Sequence, residues 1–223
     1  MRLKSTSVLL CIGTICLSLI SLAGCSGSPT KTSYYVLEST QTQATENQPE
    51  LNRPLVIIKP IYLADFLKQT GLIMQINQHQ LQPARSHLWA ESLDEGIKKS
   101  LLQDLKVANL DYTVSADHQW LAGQARYEVQ ITIDQFHATD HFSAVMSGNY
   151  WIIDKQAKKI LVNRAFNYQS ELQADGYEHA VSKLRDLVRR LSLQIGESLK
   201  LLSGKNVTNL LEHEYLTFVS AQQ

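Results

Sequence analysis

Tyr127-Glu128-Val129-Gln130-Ile131-Thr132-Ile133-Asp134 alternates apolar and polar residues without a break. Side chains of a strand point to opposite faces in turn, so this pattern is a strand with one buried and one wetted face. Phe142 to Ile153 and Ile160 to Leu172 read as two more long strands, the second turn running through Asp154-Lys155-Gln156-Ala157. Three long strands joined by short polar turns make an antiparallel meander.

Beyond the meander the period changes. Val181, Leu184, Val188, Leu191, Ile195, Leu199 and Leu202 recur at three- and four-residue spacing, the stripe of an amphipathic helix ending near Gly204. Asp175 with Glu178 three residues on has the capping-box arrangement for its start. Upstream, Trp89, Leu93, Ile97, Leu101 and Leu105 recur every four residues and predict a second helix. Leu55-Val56-Ile57-Ile58 before Pro60 reads as a buried strand. Ile61 to Leu67 reads as an irregular or one-turn helical piece. Leu72 to Ile76 and Gln80 to Gln82 read as a hairpin through Asn77-Gln78. The expectation is an α+β domain, an antiparallel sheet with two long helices packed on one face, over residues 54–204. Tyr34-Tyr35-Val36-Leu37 is a short strand-forming run on the tether side, near residues 34–38.

The N-terminus reads as a targeting segment. Arg2 and Lys4 precede an uncharged apolar stretch from Val8 to Leu22, and Leu22-Ala23-Gly24-Cys25 closes it with small residues before a cysteine. This looks like a bacterial lipobox, so residues 1–24 are expected to be a removed signal peptide and Cys25 the lipidated first residue. Two or three acyl chains are needed for an anchor that does not leave the membrane. The alternative, a spanning helix, is diluted by Ser18, Ser21, Gly24 and Ser26 to Ser28. Residues 25–53 would form a lipidated tether, with 39–49 rich in Thr, Gln, Glu and Asn and short of anything to bury. Residues 205–223 are a C-terminal extension with a weak apolar pattern.

Composition excludes several function classes. Of three cysteines, Cys11 and Cys16 lie in the removed segment and acylation would consume Cys25, leaving no disulfide and no catalytic thiol. Lys plus Arg and Asp plus Glu each number 21, so no global field recruits nucleic acid. The chain lacks a nucleophile elbow, a glycine-rich phosphate loop and a zinc-binding HExxH helix. His137 and His141, with Asp140, fall at a predicted turn and need a third ligand from elsewhere to hold a metal; Glu212-His213-Glu214 is no stronger. No catalytic residue, metal or cofactor is expected, the lipid on Cys25 aside. Lys183, Arg185, Arg189 and Arg190 make the last helix basic on part of its surface. This reads first as a solvated face and second as a contact for acidic head groups. Tyr62, Phe66 and Leu67, just after Pro60, are apolar in a segment outside any clear periodic element and are the candidate partner-contact residues.

The order of features resembles a known family. The lipobox, Tyr34-Tyr35-Val36-Leu37, Leu55 to Leu67, Gly71-Leu72-Ile73-Met74-Gln75, Leu88-Trp89-Ala90, Gly148-Asn149-Tyr150-Trp151 and Asp175-Gly176-Tyr177 together resemble the PqiC lipoproteins, auxiliary lipoproteins of MCE-type ABC transport systems. The resemblance spans residues 25–203; Ser92 stands where relatives often carry proline. It implies a non-enzymatic lipoprotein of the outer membrane of a Gram-negative cell, facing the periplasm, docking an MCE-domain protein of PqiB type and assembling as a homo-oligomeric ring. Ser26 after the cysteine, not aspartate, agrees with outer-membrane sorting. The alternative is a structural outer-membrane lipoprotein that supports envelope integrity or assembly without transport partners.

Overall fold

A computed structural model describes residues 31–38 and 53–203 except 109, 119, 120 and 122. The expected signal peptide (1–24), Cys25, the polar stretch 39–52, Trp120 and the extension 205–223 lie outside the described residues.

Strand β7 (Tyr127–Thr139) organises the sheet. Along one edge it pairs antiparallel with β8 (Ser143–Asp154), which pairs antiparallel with β9 (Lys159–Glu171). This is the expected meander. The other edge of β7 is shared in succession by β2 (Leu55–Ile58), β3 (Tyr62–Leu63) and β4 (Gly71–Asn77), all parallel to it. These three are in effect one strand interrupted twice, first around Pro60 and then by a 3-10 turn at Asp65–Leu67. β4 turns back antiparallel into β5 (Gln80–Trp89). β1 (Ser33–Tyr35) adds parallel to β5, and β6 (Thr113–Ala116) parallel to β2. The class is α+β, but the sheet is mixed rather than antiparallel. The reason lies in the connection: β5, helix α1 (Leu93–Val107) and β6 intervene before β7, and so long a crossover lets the chain return in parallel.

Burial follows the alternation. Val129, Ile131 and Ile133 are buried on one face; a bulge between Ile133 and Gln135 then shifts the phase, so that Phe136 and Ala138 continue that face. On β8 the matching residues are Met146, Gly148, Tyr150 and Ile152. Helix α2 (Tyr177–Ser203) buries the whole predicted stripe against this face, and the Tyr150 hydroxyl lies 2.9 Å from Ser198 Oγ. α1 lies beside α2, tied to it by two bonds from Arg185 to Asp104, 2.6 and 2.9 Å, and by Ser192 Oγ donating to Asp104 at 2.9 Å.

Three local expectations are corrected. Trp89 closes β5 and α1 begins at Leu93, because Ser92 takes the extended N-cap conformation (ψ 138°) and ends the strand's phase there. α2 begins at Tyr177, with the Gly176 carbonyl accepting the first helical bond from Ala180 N, so Asp175 stands one residue too early for the capping box. His137 is not in a turn: the bulge carries it into β7, where it is buried with Nδ1 3.1 Å from the Ala138 carbonyl. Burial lowers its pKa, against the Ala138 bond, which raises it.

Candidate functional site: the groove beside Tyr62

The interrupted strand and the bulge meet. Lys59 N donates to Val129 O and Ala64 N to Ile133 O, both at 2.9 Å, which fixes the two residues of β3 between them. From Ala64 to Thr70 the chain leaves the sheet, opposite the bulge in β7, and rejoins it at Gly71. The excursion is closed by Leu67 N on the Ala64 carbonyl, by Gln69 Nε2 on the Phe66 carbonyl at 2.6 Å, and by Trp89 N on the Thr70 carbonyl at 2.8 Å. The Lys68–Asp65 ion pair at 2.7 Å is on its outside, and its hydrogen bond holds the Asp65 carboxyl below the ordinary value.

Between this excursion and the β5–α1 junction lies an open groove of about 520 Å³. Tyr62, Leu63 and Thr70 line one wall and Trp89, Ala90 and Leu93 the other. Trp89 is wedged underneath, its ring centroid 6.3 Å from that of Phe136. The groove lining is therefore part aromatic and part polar, with Ser92 at the helix start making no side-chain capping bond.

The three candidate contact residues separate here. Tyr62 is 65% exposed at the groove's rim. Phe66 is half-buried, packed against the core. Leu67 is 1% exposed and belongs to the core, because the 3-10 turn rotates it under the excursion while Phe66 stays at the side. Leu67 is thus a support of the loop and not a contact residue. The opposite wall escapes a reading by periodicity, in which Trp89 fits a helical stripe; Ser92, a good N-cap residue between Trp89 and Leu93, is the signal that separates strand from helix.

Other candidates resolve into structure. Among the described residues no three His, Cys, Asp or Glu side chains gather into a set that would hold a metal. The basic helix face is largely engaged: Arg185 by Asp104, Arg189 by Asp186 at 3.3 Å, and Arg190 by the Gln169 carbonyl at 3.1 Å and the Tyr168 ring at 4.6 Å. At Gly196 a Cβ would meet the Leu105 and Leu110 side chains at 3.7 and 3.8 Å, ordinary contact, so the approach of α1 does not depend on a glycine there.

The mixed sheet with two helices is of the α+β class, and it carries an open groove lined by apolar, polar and charged side chains. Residues 35–196 match the family described as ABC-type transport auxiliary lipoprotein component, and the chain belongs to that family. It is 24% identical over 181 residues to the intermembrane transport lipoprotein PqiC of Escherichia coli K12, covering 81% of this chain and 93% of the relative. The Shigella flexneri protein of the same name matches equally. Two solved structures share the fold. A crystal structure of an uncharacterized protein has a TM-score of 0.65 at 23% identity over 75% of this chain and 98% of its own. Protein XCC0632 of Xanthomonas campestris has a TM-score of 0.57 at 11% identity over 68% and 89%. The protein is accordingly an auxiliary lipoprotein component of a transport system.

Proposed function

We propose that the chain is anchored through a lipid on Cys25 in the outer membrane, faces the periplasm, and docks an MCE-domain protein of PqiB type as a non-enzymatic subunit of an intermembrane lipid-transport system. In this reading it assembles as a homo-oligomeric ring, and the lipid on Cys25 is its only prosthetic group. Support comes from the family match and from the similarity to proteins called intermembrane transport lipoprotein. The observation that carries the contact assignment is Tyr62, an aromatic held exposed at the rim of a groove by backbone bonds on both sides of it.

Interface energy concentrates in a few aromatic anchors worth about 2 kcal/mol or more each, a factor of roughly 30 in affinity. Tyr62→Ser should therefore weaken capture of the partner MCE protein by about that factor while leaving the melting temperature within about 2 °C of wild type. Phe66→Ser should lower the melting temperature, because Phe66 packs on the core. Unchanged capture by Tyr62→Ser in a folded protein would remove the groove from the interface. Failure of the wild-type protein to capture the MCE protein at all would remove the docking role.

A further inference from the structure

β1 runs parallel to β5, with Ser33 opposite His87 and Tyr35 opposite Trp89. β1 therefore enters along β5 from the Gln80 side. Gln75 of β4 lies opposite both Leu81 of β5 and Thr139 of β7, so the β4–β5 and β7–β8 turns stand at the same end of the sheet. Asp140 N donates to the Gln75 carbonyl at 2.8 Å and Leu172 N to the Phe142 carbonyl at 2.7 Å, which brings the close of β9 to that end as well.

Seven residue steps separate His87 from Gln80, about 23 Å of strand. Eight separate Ser33 from Cys25, at most about 26–29 Å of fully extended chain. So short a tether keeps the domain close to the bilayer that holds a lipid on Cys25, and β1 enters from the end that carries those turns.

What this end presents suits an interface. Phe142 is 61% exposed and sits at φ 50°, a backbone region a bulky residue rarely occupies, and Leu81 is exposed on the neighbouring hairpin. Around them are Gln78 and Gln80, the imidazoles of His79 and His141, and the carboxylates of Asp140 and Glu171. The far end of the meander instead carries Lys155, Lys158 and Lys159. Aromatic side chains partition to the headgroup boundary of a bilayer, and such contacts add to a lipid anchor.

We propose that the end of the domain formed by the β4–β5 and β7–β8 turns rests on the leaflet holding the acylated Cys25, with the Phe142 ring in the headgroup boundary and Leu81 beside it. The inference rests on the anchored reading given above, and goes beyond it by fixing which end meets lipid. It also leaves the Tyr62 groove, midway along β7 opposite Thr132 and Ile133, clear of the membrane and open to a partner.

The test uses the mature, acylated chain in vesicles of phosphatidylethanolamine and phosphatidylglycerol. Acylation leaves it without a free thiol, so Phe142→Cys, Leu81→Cys and Ile160→Cys each give one site for an environment-sensitive dye. Ile160 is 55% exposed at the far end and serves as the control. The dye at 142 should shift to the blue and be quenched by brominated lipid, the dye at 81 should follow to a smaller degree, and the dye at 160 should do neither. Vesicle-bound protein whose dye stays aqueous at both 142 and 81 overturns the proposal. A blue shift at 142 without quenching by brominated lipid overturns it too, because it assigns that end to another protein surface. Protein that does not float with the vesicles fails the anchored reading itself, which flotation reports separately from the dye.

Discussion

Gly148→Ala is the sharpest perturbation of the sheet that holds the groove. Gly148 lies on β8 opposite Ile133 of β7 and Phe166 of β9. A Cβ placed there would stand 2.0 Å from the Thr132 carbonyl oxygen, 3.0 Å from its carbon and 2.9 Å from Phe166 Cζ. The ring tip can yield by a few tenths of an ångström. The carbonyl cannot, because Thr132 is part of the β7 ladder on one side and pairs with Tyr62 on the other. Relief needs more than an ångström of separation between β7 and β8 at a bulge where pairing is already irregular. Overpacking usually costs 1–3 kcal/mol, and a contact that only backbone movement relieves belongs at or above the top of that range, about 3 kcal/mol. For a domain of this size each kcal/mol moves the melting temperature by about 2–4 °C, so a fall of roughly 6–12 °C is expected by circular dichroism. Gly96→Ala and Gly196→Ala are the controls. Their nearest neighbours would sit at 3.7 Å, ordinary contact, and alanine improves a helix interior by about 1 kcal/mol. Both should melt a few degrees higher than wild type. A Gly148→Ala protein melting within 2 °C of wild type, or three glycines behaving alike, would refute the close-approach reasoning.

Ser100 is fully buried in α1 with a hydroxyl that has no partner among the described residues, so Ser100→Ala should raise the unfolding free energy by about 1 kcal/mol in urea titration; a loss would mean the hydroxyl is satisfied. Asp104→Asn should cost about 2 kcal/mol by the same measurement, because it strips the charge from two Arg185 bonds and one Ser192 bond that join the helices; no change would make the pair a surface ornament. The Asp154 carboxylate accepts the Ala157 and Gln156 amides at 2.9 Å and Arg126 at 2.8 Å, and the Ala157 bond first, with Arg126 adding to it against burial, holds its pKa below the ordinary value. Its contribution is therefore complete above an unfolded aspartate's value of about 3.9 and is lost as pH falls through the lowered folded value. Asp154→Asn should flatten the stability curve below about pH 4, and an acid limb identical to wild type would contradict this.

The meander and both helices are legible in the sequence because their periods are strict over long stretches. Tyr127 to Ile133 and Val181 to Leu202 leave no competing reading. Strand direction has no comparable signature. Leu55 to Ile58, Tyr62–Leu63 and Gly71 to Asn77 look like any short apolar runs, and nothing local says that they lie end to end along one partner. The bulge is readable in principle: the core face carries odd-numbered residues through Ile133 and even-numbered Phe136 and Ala138 after it, while His137 is buried on the opposite face of the lengthened strand. Trp89 falls four residues before Leu93 by coincidence of phase, since the last residue of a strand and the first of a helix can both face one core. At the candidate site, apolar character alone does not separate Tyr62 from Leu67, because a 3-10 turn decides which of its residues points inward.

In the proposed docking role, a lone tyrosine on a two-residue strand gains from being held in place. An exposed aromatic on a free loop loses much of its binding energy to the ordering of the loop when a partner arrives. Tyr62 has been relieved of that cost by the fold: Lys59 N and Ala64 N bracket it with bonds to β7, Pro60 fixes the approach, and Leu67 pins the far end of the excursion in the core. Tyr62 lines the same groove as Trp89, which is itself held by Phe136 and by its own amide on Thr70. Rigid backbone, an exposed aromatic and an adjoining groove are the ingredients of an interface hot spot. Replacing Leu67 with alanine would therefore weaken partner capture without touching the partner, by loosening the excursion, whereas Tyr62→Ser would weaken it with the excursion intact; only the first should also speed proteolysis between Ala64 and Thr70.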